Sequence, residues 1–331
     1  MLSSPSLKKQ GDTTIFLKNK CGGYLKPLLL VSNPSSAKGR SRAVLERAVA
    51  WLKQNGIPTH QLVSQHAGHL FEALPSLLKE EWQAIAVLGG DGTLFEVINI
   101  CLDSTSKNFA TPLAVIPGGT GNSFSKDLNG NTLEDFLQKA VEGAPQPVDV
   151  ARCRFANGAN VGRPWHKNEF YFINLLGAGF VAEVNHRSFG FFKKLGMFGY
   201  AVSVLATLTK LRPYQMRLAL DEHIIEKPNT FVTICNSRVT GGNMLIAPEA
   251  SIRDGWLDVV VANAISRWEL IKTFPKVFSG SHTSHPEVEI FRARHIRLET
   301  DPPSLLTPDG EMLGATPIAV EILPGKLQFL V

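Results

Sequence analysis

Four short stretches of this chain set carboxylates or amides among glycines. They are Gly89-Gly90-Asp91-Gly92-Thr93, Pro117-Gly118-Gly119-Thr120-Gly121-Asn122, Asp254-Gly255 and Thr307-Pro308-Asp309-Gly310-Glu311. Glycine lets backbone N–H groups approach an anion closely, and a helix starting just after such a loop adds a favourable dipole. That chemistry suits phosphate. The carboxylates Asp91, Asp309 and Glu311 add a second ingredient, since they can orient a divalent cation or accept a hydroxyl proton. Phosphoryl transfer needs positioning, charge neutralisation and such a proton acceptor. Each motif also has a plainer account, because Asp-Gly is a common turn dipeptide and Gly is often steric.

Elements that could position these loops are legible in the first half. Leu28–Val31, His60–Val63, Ala84–Leu88 and Leu113–Ile116 are short apolar runs that read as buried strands. Ser41–Gln54 has helical periodicity, with Val44, Leu45, Ala48, Trp51 and Leu52 on one face, and Leu70–Leu78 reads as a second helix. Further helices are expected after Thr93 and after Asn122. Strand and helix alternating in this way imply a parallel sheet, whose ligands bind beyond the carboxyl ends of the strands. Three Gly- or Asn-rich loops fall at such ends: Asn33–Gly39, Gly89–Thr93 and Pro117–Asn122. None matches G-x-x-x-x-G-K-[ST] or G-x-G-x-x-G, which excludes a P-loop and a dinucleotide fingerprint.

From about Pro147 the strand-like runs come closer together: Val148–Phe155, Phe170–Leu176, Gln215–Asp221, Thr230–Cys235, Leu257–Val261 and His295–Glu299, with one helical stretch near Leu195–Leu211. Alternation of apolar and polar residues points to antiparallel strands with one wet face. The expected domains are an α/β nucleotide-binding domain over 1–146 and a β-rich substrate domain over 147–323.

The chain has 331 residues, 44% of them hydrophobic, a formal charge of +5 and a pI near 9.0. It can bury a sizeable core, and its mild basicity suits acidic partners. Cys21, Cys101, Cys153 and Cys235 form no C-x-x-C pair, which speaks against a zinc site or a disulfide framework. No apolar run reaches the ~18 residues of a membrane span. A soluble cytoplasmic protein in peripheral contact with a membrane is therefore expected. His282 and His285, spaced S-H-T-S-H, read as an exposed loop. Phe189, Phe191 and Phe192, beside Lys193 and Lys194, read as core packing or as a lip facing lipid.

The Gly89–Thr93 stretch, with Glu96 and Asn99 after it, resembles the nucleotide loop shared by diacylglycerol, sphingosine, ceramide and NAD kinases and 6-phosphofructokinases. Pro117 to Phe124 resembles the P-x-G-T-x-N-x-[FL] loop of the soluble lipid kinases. Ala247-Pro248 through Asp254-Gly255-Trp256-Leu257-Asp258 resembles their metal-site hairpin, and Asp309-Gly310-Glu311 their D-G-E motif. The chain is thus similar to the diacylglycerol kinase catalytic-domain family, bacterial glycerolipid kinases above all.

This resemblance implies an NAD kinase/diacylglycerol kinase-like α/β domain followed by a mostly antiparallel β-sandwich, with strand 324–331 returning to the first domain. It implies ATP bound by Asn33, Ser64, Gly90, Asp91, Gly92, Thr93, Leu94, Phe95, Glu96 and Thr120. A structural Mg2+ would be held by Ser251, Asp254 and Trp256, Ser251 and Trp256 through main-chain oxygens, and Glu311 would be the general base beside Asp309. The implied partners are a membrane lipid and an anionic membrane surface, not nucleic acid, with a homodimer left open. Diacylglycerol or phosphatidylglycerol is the favoured substrate class. A sphingoid-base kinase, an NAD kinase-like enzyme and a non-catalytic lipid-binding module are the alternatives. Two positions depart from the family pattern: Ala37 stands where N-P-x-[SA]-G has glycine, and Arg253 where many members have an acidic residue.

Overall fold

A computed structural model describes residues 26–34, 40–103, 109–156, 168–188 and 212–331. The apolar runs of the first half form four strands: β1 (Leu28–Ser32), β2 (Thr59–Val63), β3 (Ile85–Gly89) and β4 (Leu113–Pro117). Three of them are fully or largely buried, and β2 is an edge strand with only Leu62 buried. All pair in parallel, with Leu28 beside Thr59, Leu29 beside Ile85 and Ile85 beside Leu113. Every turn from strand to helix therefore emerges at one edge, where the glycine loops are. α1 (Arg40–Gln54), α2 (His69–Leu77) and α3 (Asp91–Asp103) connect them. Two apolar cores clothe the two faces of this sheet.

After β4 the chain does not enter a long helix directly. A short 3-10 turn (Phe124–Leu128) comes first, and Asn129 in the left-handed region ends it. α4 (Leu133–Glu142) then starts on a capping box in which Thr132 and Asp135 satisfy each other's backbone N–H groups.

The second half is an antiparallel β-sandwich. Its strands are β5 (Pro145–Phe155), β6 (Glu169–Phe172), β7 (Leu175–Gly179), β8 (Tyr214–Leu220), β9 (His223–Cys235), β10 (Val239–Thr240), β11 (Met244–Leu245), β12 (Leu257–Asn263), β13 (Val288–Ala293), β14 (His295–Asp301), β15 (Leu306–Pro308) and β16 (Ile318–Leu330). Among the described residues two helices join them, α5 (Phe180–Ser188) and α6 (Arg267–Thr273). Phe170, Phe172, Leu218, Ile234, Val259 and Leu298 are among the side chains that fill the sandwich core.

The expected strand Phe170–Leu176 is split in two. At Ile173 and Asn174 the backbone leaves the ladder and turns its N–H groups towards Asp309. β9 reaches further back than periodicity suggested, because Asp221, at φ 48, turns β8 into a tight hairpin with it.

β16 joins the halves. Its first part pairs with β14 and β5, its register shifts between Leu323 and Leu327, and Phe329 then lies parallel beside Leu113 of β4. One sheet thus runs from β13 through β16 to β2. Among the described residues no helix is long and apolar enough to cross a membrane.

Candidate active site

The site is assembled from glycines that let backbones touch. β3 ends at Gly89, and α3 begins at Asp91. Across from it the Pro117–Asn122 loop approaches so closely that a Cβ on Gly119 would stand 2.3 Å from the Cα of Gly90. Gly118 N–H donates to Gly89 O at 2.9 Å. Asn122, at φ 50, closes its own loop: its Oδ1 accepts from Gly119 N–H at 2.8 Å and its Nδ2 donates to Gly119 O at 3.0 Å.

Asp91 locks the two loops together. Its carboxylate accepts from Ser123 N–H at 3.0 Å and from Phe124 N–H at 3.2 Å. A second-half loop, Asn236–Asn243, closes the cleft. Gly242 N–H reaches Ser123 Oγ at 3.4 Å, and a Cβ on Gly121 would lie 3.7 Å from Gly242 N. Arg238 pairs with Asp127 at 2.7 Å, and Lys126 with Asn243.

The Asp309-Gly310-Glu311 turn follows β15, with both Asp309 and Gly310 in the left-handed region. Its two carboxylates have different surroundings. Asp309 is buried and accepts three backbone bonds, from Ile173, Asn174 and Leu175 N–H at 3.0, 2.8 and 3.1 Å. Burial pushes it up to about 7, against the pull of those donors, and the nearby Asp91 charge adds to the rise. Glu311 instead lies against the first turn of α3: a Cβ on Gly92 would stand 2.7 Å from Glu311 Oε1. The second half of the chain therefore places a carboxylate on the nucleotide-type loop of the first, 219 residues away in sequence.

The expected ATP-contacting residues fall into two groups. Asn33 follows β1, Ser64 follows β2 and Thr120 is exposed at its loop tip, so all three lie at the carboxyl edge with Gly90, Asp91 and Gly92. Thr93, Leu94 and Phe95 are buried instead. Leu94 points into a core of the parallel sheet and Phe95 into the sandwich core, 6.3 Å from the Phe170 ring, so only their backbones are available to a ligand. Glu96 is half-buried on α3. Asn99 is structural. It donates to Phe95 O and Tyr171 O and accepts from Tyr171 N–H, all at 2.8 Å, which staples α3 to β6. Residues 35–39, Ala37 among them, lie outside the described residues. So do the aromatic cluster at 189–194 and the helix expected near 195–211.

The stretch expected to hold a metal is arranged differently. It is not a hairpin between paired strands but a turn leading into β12, with Gly255 at φ 72. Buried Asp149 anchors it, accepting from Gly255 and Gly325 N–H at 2.7 Å each. Ser251 Oγ accepts from Arg253 N–H at 3.3 Å, and Asp254 Oδ1 from Trp256 N–H at 3.1 Å. The other Asp254 oxygen pairs with Arg292, whose guanidinium also lies 3.9 Å from Asp258 and 5.5 Å from the Trp256 ring. Among the described residues no three His, Cys, Asp or Glu side chains gather as metal ligands. Ser251, Asp254 and Trp256 thus offer one carboxylate, which Arg292 pairs in this structure, beside the main-chain oxygens expected of Ser251 and Trp256. His282 is likewise not an exposed loop residue. It is buried, its Nε2 lies 3.1 Å from Ile246 O, and burial lowers its pKa.

Asn185 of α5 was not visible in the sequence. Its Nδ2 donates to Gly310 O at 2.8 Å and to Thr307 Oγ1, bracing the turn that carries Glu311. No spacing rule links position 185 to position 310. Only the helix-breaking Gly179 at φ 79 and the start of a polar helix face could have drawn attention to it.

A model described as the diacylglycerol kinase catalytic domain matches residues 27–153. One described as the YegS C-terminal NAD kinase beta sandwich-like domain matches 174–331. A diacylglycerol kinase of Mycobacterium tuberculosis is 29% identical over 307 residues, covering 91% of this chain and 93% of its own. A diacylglycerol kinase structure from Bacillus anthracis superposes with a TM-score of 0.66 at 21% identity, covering 92% of this chain and 96% of that one. Yeast NADH kinase superposes with a TM-score of 0.51 at 9% identity, covering 92% and 82%. At these identities the two structures speak to fold alone. With both halves matched in order, the chain belongs to the diacylglycerol kinase catalytic-domain family of lipid kinases, phosphotransferases with an alcohol acceptor.

Proposed function

We propose that this chain transfers the γ-phosphoryl group of ATP to a primary hydroxyl of a glycerolipid, of the diacylglycerol or phosphatidylglycerol type. The observation that carries the reading is the Glu311 carboxylate lying over Gly92 at the start of α3. A base there faces the end of a helix whose N-terminus favours phosphate oxygens. Asn33, Ser64, Gly90, Asp91, Gly92 and Thr120, with the backbone of residues 93–96, hold the nucleotide along the carboxyl edge of the sheet. Asp91 keeps the two glycine loops in register rather than acting as a free base. Glu311 accepts the hydroxyl proton as the lipid oxygen bonds to the γ-phosphorus and the bond from that phosphorus to the β-phosphate oxygen breaks. Asp309, tied to three backbone N–H groups, and Asn185 hold the turn that presents Glu311. Mg2+ bound with the nucleotide would supply charge neutralisation at the phosphates.

Labelled ATP incubated with pure diacylglycerol, phosphatidylglycerol, sphingosine and NAD tests this directly. Phosphorylation of a glycerolipid, lowered roughly 10²–10⁴-fold by Glu311→Gln at unchanged ATP affinity, supports it. Transfer to NAD alone, or a Glu311→Gln variant as fast as the parent, refutes it.

A further inference from the structure

One apolar feature of the described surface takes no part in the chemistry above. α6 and the 3-10 turn Phe274–Phe278 that continues it bury one side only. Leu270 and Ile265 pack on Phe180 and Val184 of α5, with Ile271 and Phe274 beside them. Trp268, 74% exposed, and Phe278, 41% exposed with its ring 6.0 Å from Phe274, stand outside that packing. Exposed Arg267, Lys272 and Lys276 stand on the same short segment. Its one acidic side chain between Ala264 and His285, Glu269, is taken up by the cap of α6, accepting from Ser266 N–H at 3.2 Å. His282 behind it is buried, so it adds no surface charge. Two aromatic rings thus stand proud of the surface among three cations.

We propose that this face docks on an anionic lipid bilayer, with Trp268 and Phe278 entering the interface and Arg267, Lys272 and Lys276 meeting headgroup phosphates. The proposal rests on the lipid kinase reading for its biological sense, and on charge and exposure for its chemistry. An indole is apolar in body and polar at its N–H, the combination that settles at membrane interfaces. Cations near an anionic surface each contribute about 1 kcal/mol, roughly a fivefold gain in partition, and salt screens them. Two rings and three cations give reversible docking rather than anchoring. The position also suits the chemistry. Val184, which carries α6, is next in sequence to Asn185, which holds Gly310 O. One helix therefore links the docking face to the turn bearing Glu311.

The test uses the full chain with vesicles whose acyl chains carry bromine, read by tryptophan fluorescence. The chain has five tryptophans, so Trp268→Phe isolates this one. Expected results are quenching by phosphatidylglycerol-containing but not pure phosphatidylcholine vesicles, its loss in Trp268→Phe, and partition roughly 30-fold weaker in Lys272→Gln with Lys276→Gln. Phosphotransfer to a short-chain diacylglycerol below its micellar concentration should be unchanged in Trp268→Phe. Equal quenching of Trp268→Phe and parent, or no quenching of either, overturns the docking face, and so does a lipid-free dimer that Trp268→Phe dissociates. If vesicle lipid is phosphorylated without Trp268-dependent quenching, docking falls and the kinase reading stands. If quenching depends on Trp268 but no lipid is phosphorylated, the reverse holds.

Discussion

Replacing Gly92 by alanine separates stability from catalysis. Gly92 is the second residue of α3 and does not have positive φ, so alanine fits the backbone there. In a helix the change gains up to about 1 kcal/mol, chiefly by restricting the unfolded chain. For a chain of this size that raises Tm by about 1–3 °C. The new Cβ would, however, meet Glu311 Oε1 at 2.7 Å, where an ordinary contact begins at 3.4 Å. The carboxylate must retreat by about 0.7 Å. Displacements of this order cost about 10²-fold in rate when the displaced group is the proton acceptor. Steady-state transfer of labelled phosphate, beside thermal unfolding of the same preparation, checks both halves. A double-mutant cycle sharpens it. If alanine acts by displacing Glu311, the Gly92→Ala, Glu311→Gln variant is no slower than Glu311→Gln alone. Additive losses would mean that Gly92 works through the nucleotide and not through Glu311, and an active, stable Gly92→Ala would refute the placement of the base.

Asp91→Asn keeps the shape but exchanges one acceptor for a donor facing Ser123 and Phe124 N–H; turnover should fall at least roughly tenfold while the fold persists by circular dichroism, and unaltered turnover would mean that the loops hold without this clasp. Asp309 is raised to about 7 from 3.8, so between those values the folded chain keeps a proton that the unfolded chain has lost. Stability on its account therefore declines as pH rises through that window, by up to about 1.4 kcal/mol per unit. Asp309→Asn should flatten that part of the Tm–pH curve, and an unchanged slope would assign the titration elsewhere. Arg292 occupies the carboxylate expected to bind a metal. The Tm of the nucleotide-free parent should be indifferent to chelator and to millimolar Mg2+, whereas Arg292→Ala should gain several degrees with Mg2+; stabilisation of the parent by Mg2+ would show that the ion displaces the arginine.

The close approach of the glycine loops was legible because its requirement is local. A backbone that must pass within touching distance of another admits only glycine, and Gly90, Gly119 and Gly121 say so in sequence. What the individual carboxylates do was not legible. Asp309 and Glu311 are two residues apart, yet one is consumed by the break between β6 and β7 and the other lies on α3. That division depends on which strands lie beside β15, a long-range fact. The same holds for Asp254: its partner Arg292 arrives because β12 and β13 pair with Asp258 opposite Arg292. Leu94 and Phe95 belonged to a nucleotide motif, but their side chains face the cores because residues three and four apart on α3 share a buried face. Position 185 carries no motif at all.

The strand β16 has a consequence for how this chain is made. Synthesis delivers β1 to β4 first, yet the outer edge of β4 stays bare until Phe329 arrives beside Leu113. Until then, the half bearing the glycine loops has an open parallel sheet, with unpaired amides and carbonyls along one margin. β5, next in order, cannot cover that margin, since it pairs with β16 and β6. Closure waits for β16, which is made some two hundred residues after β4. The same strand brings the margins of both halves together, so the glycine loops and the turn that carries Glu311 are tied to each other only once β16 is paired.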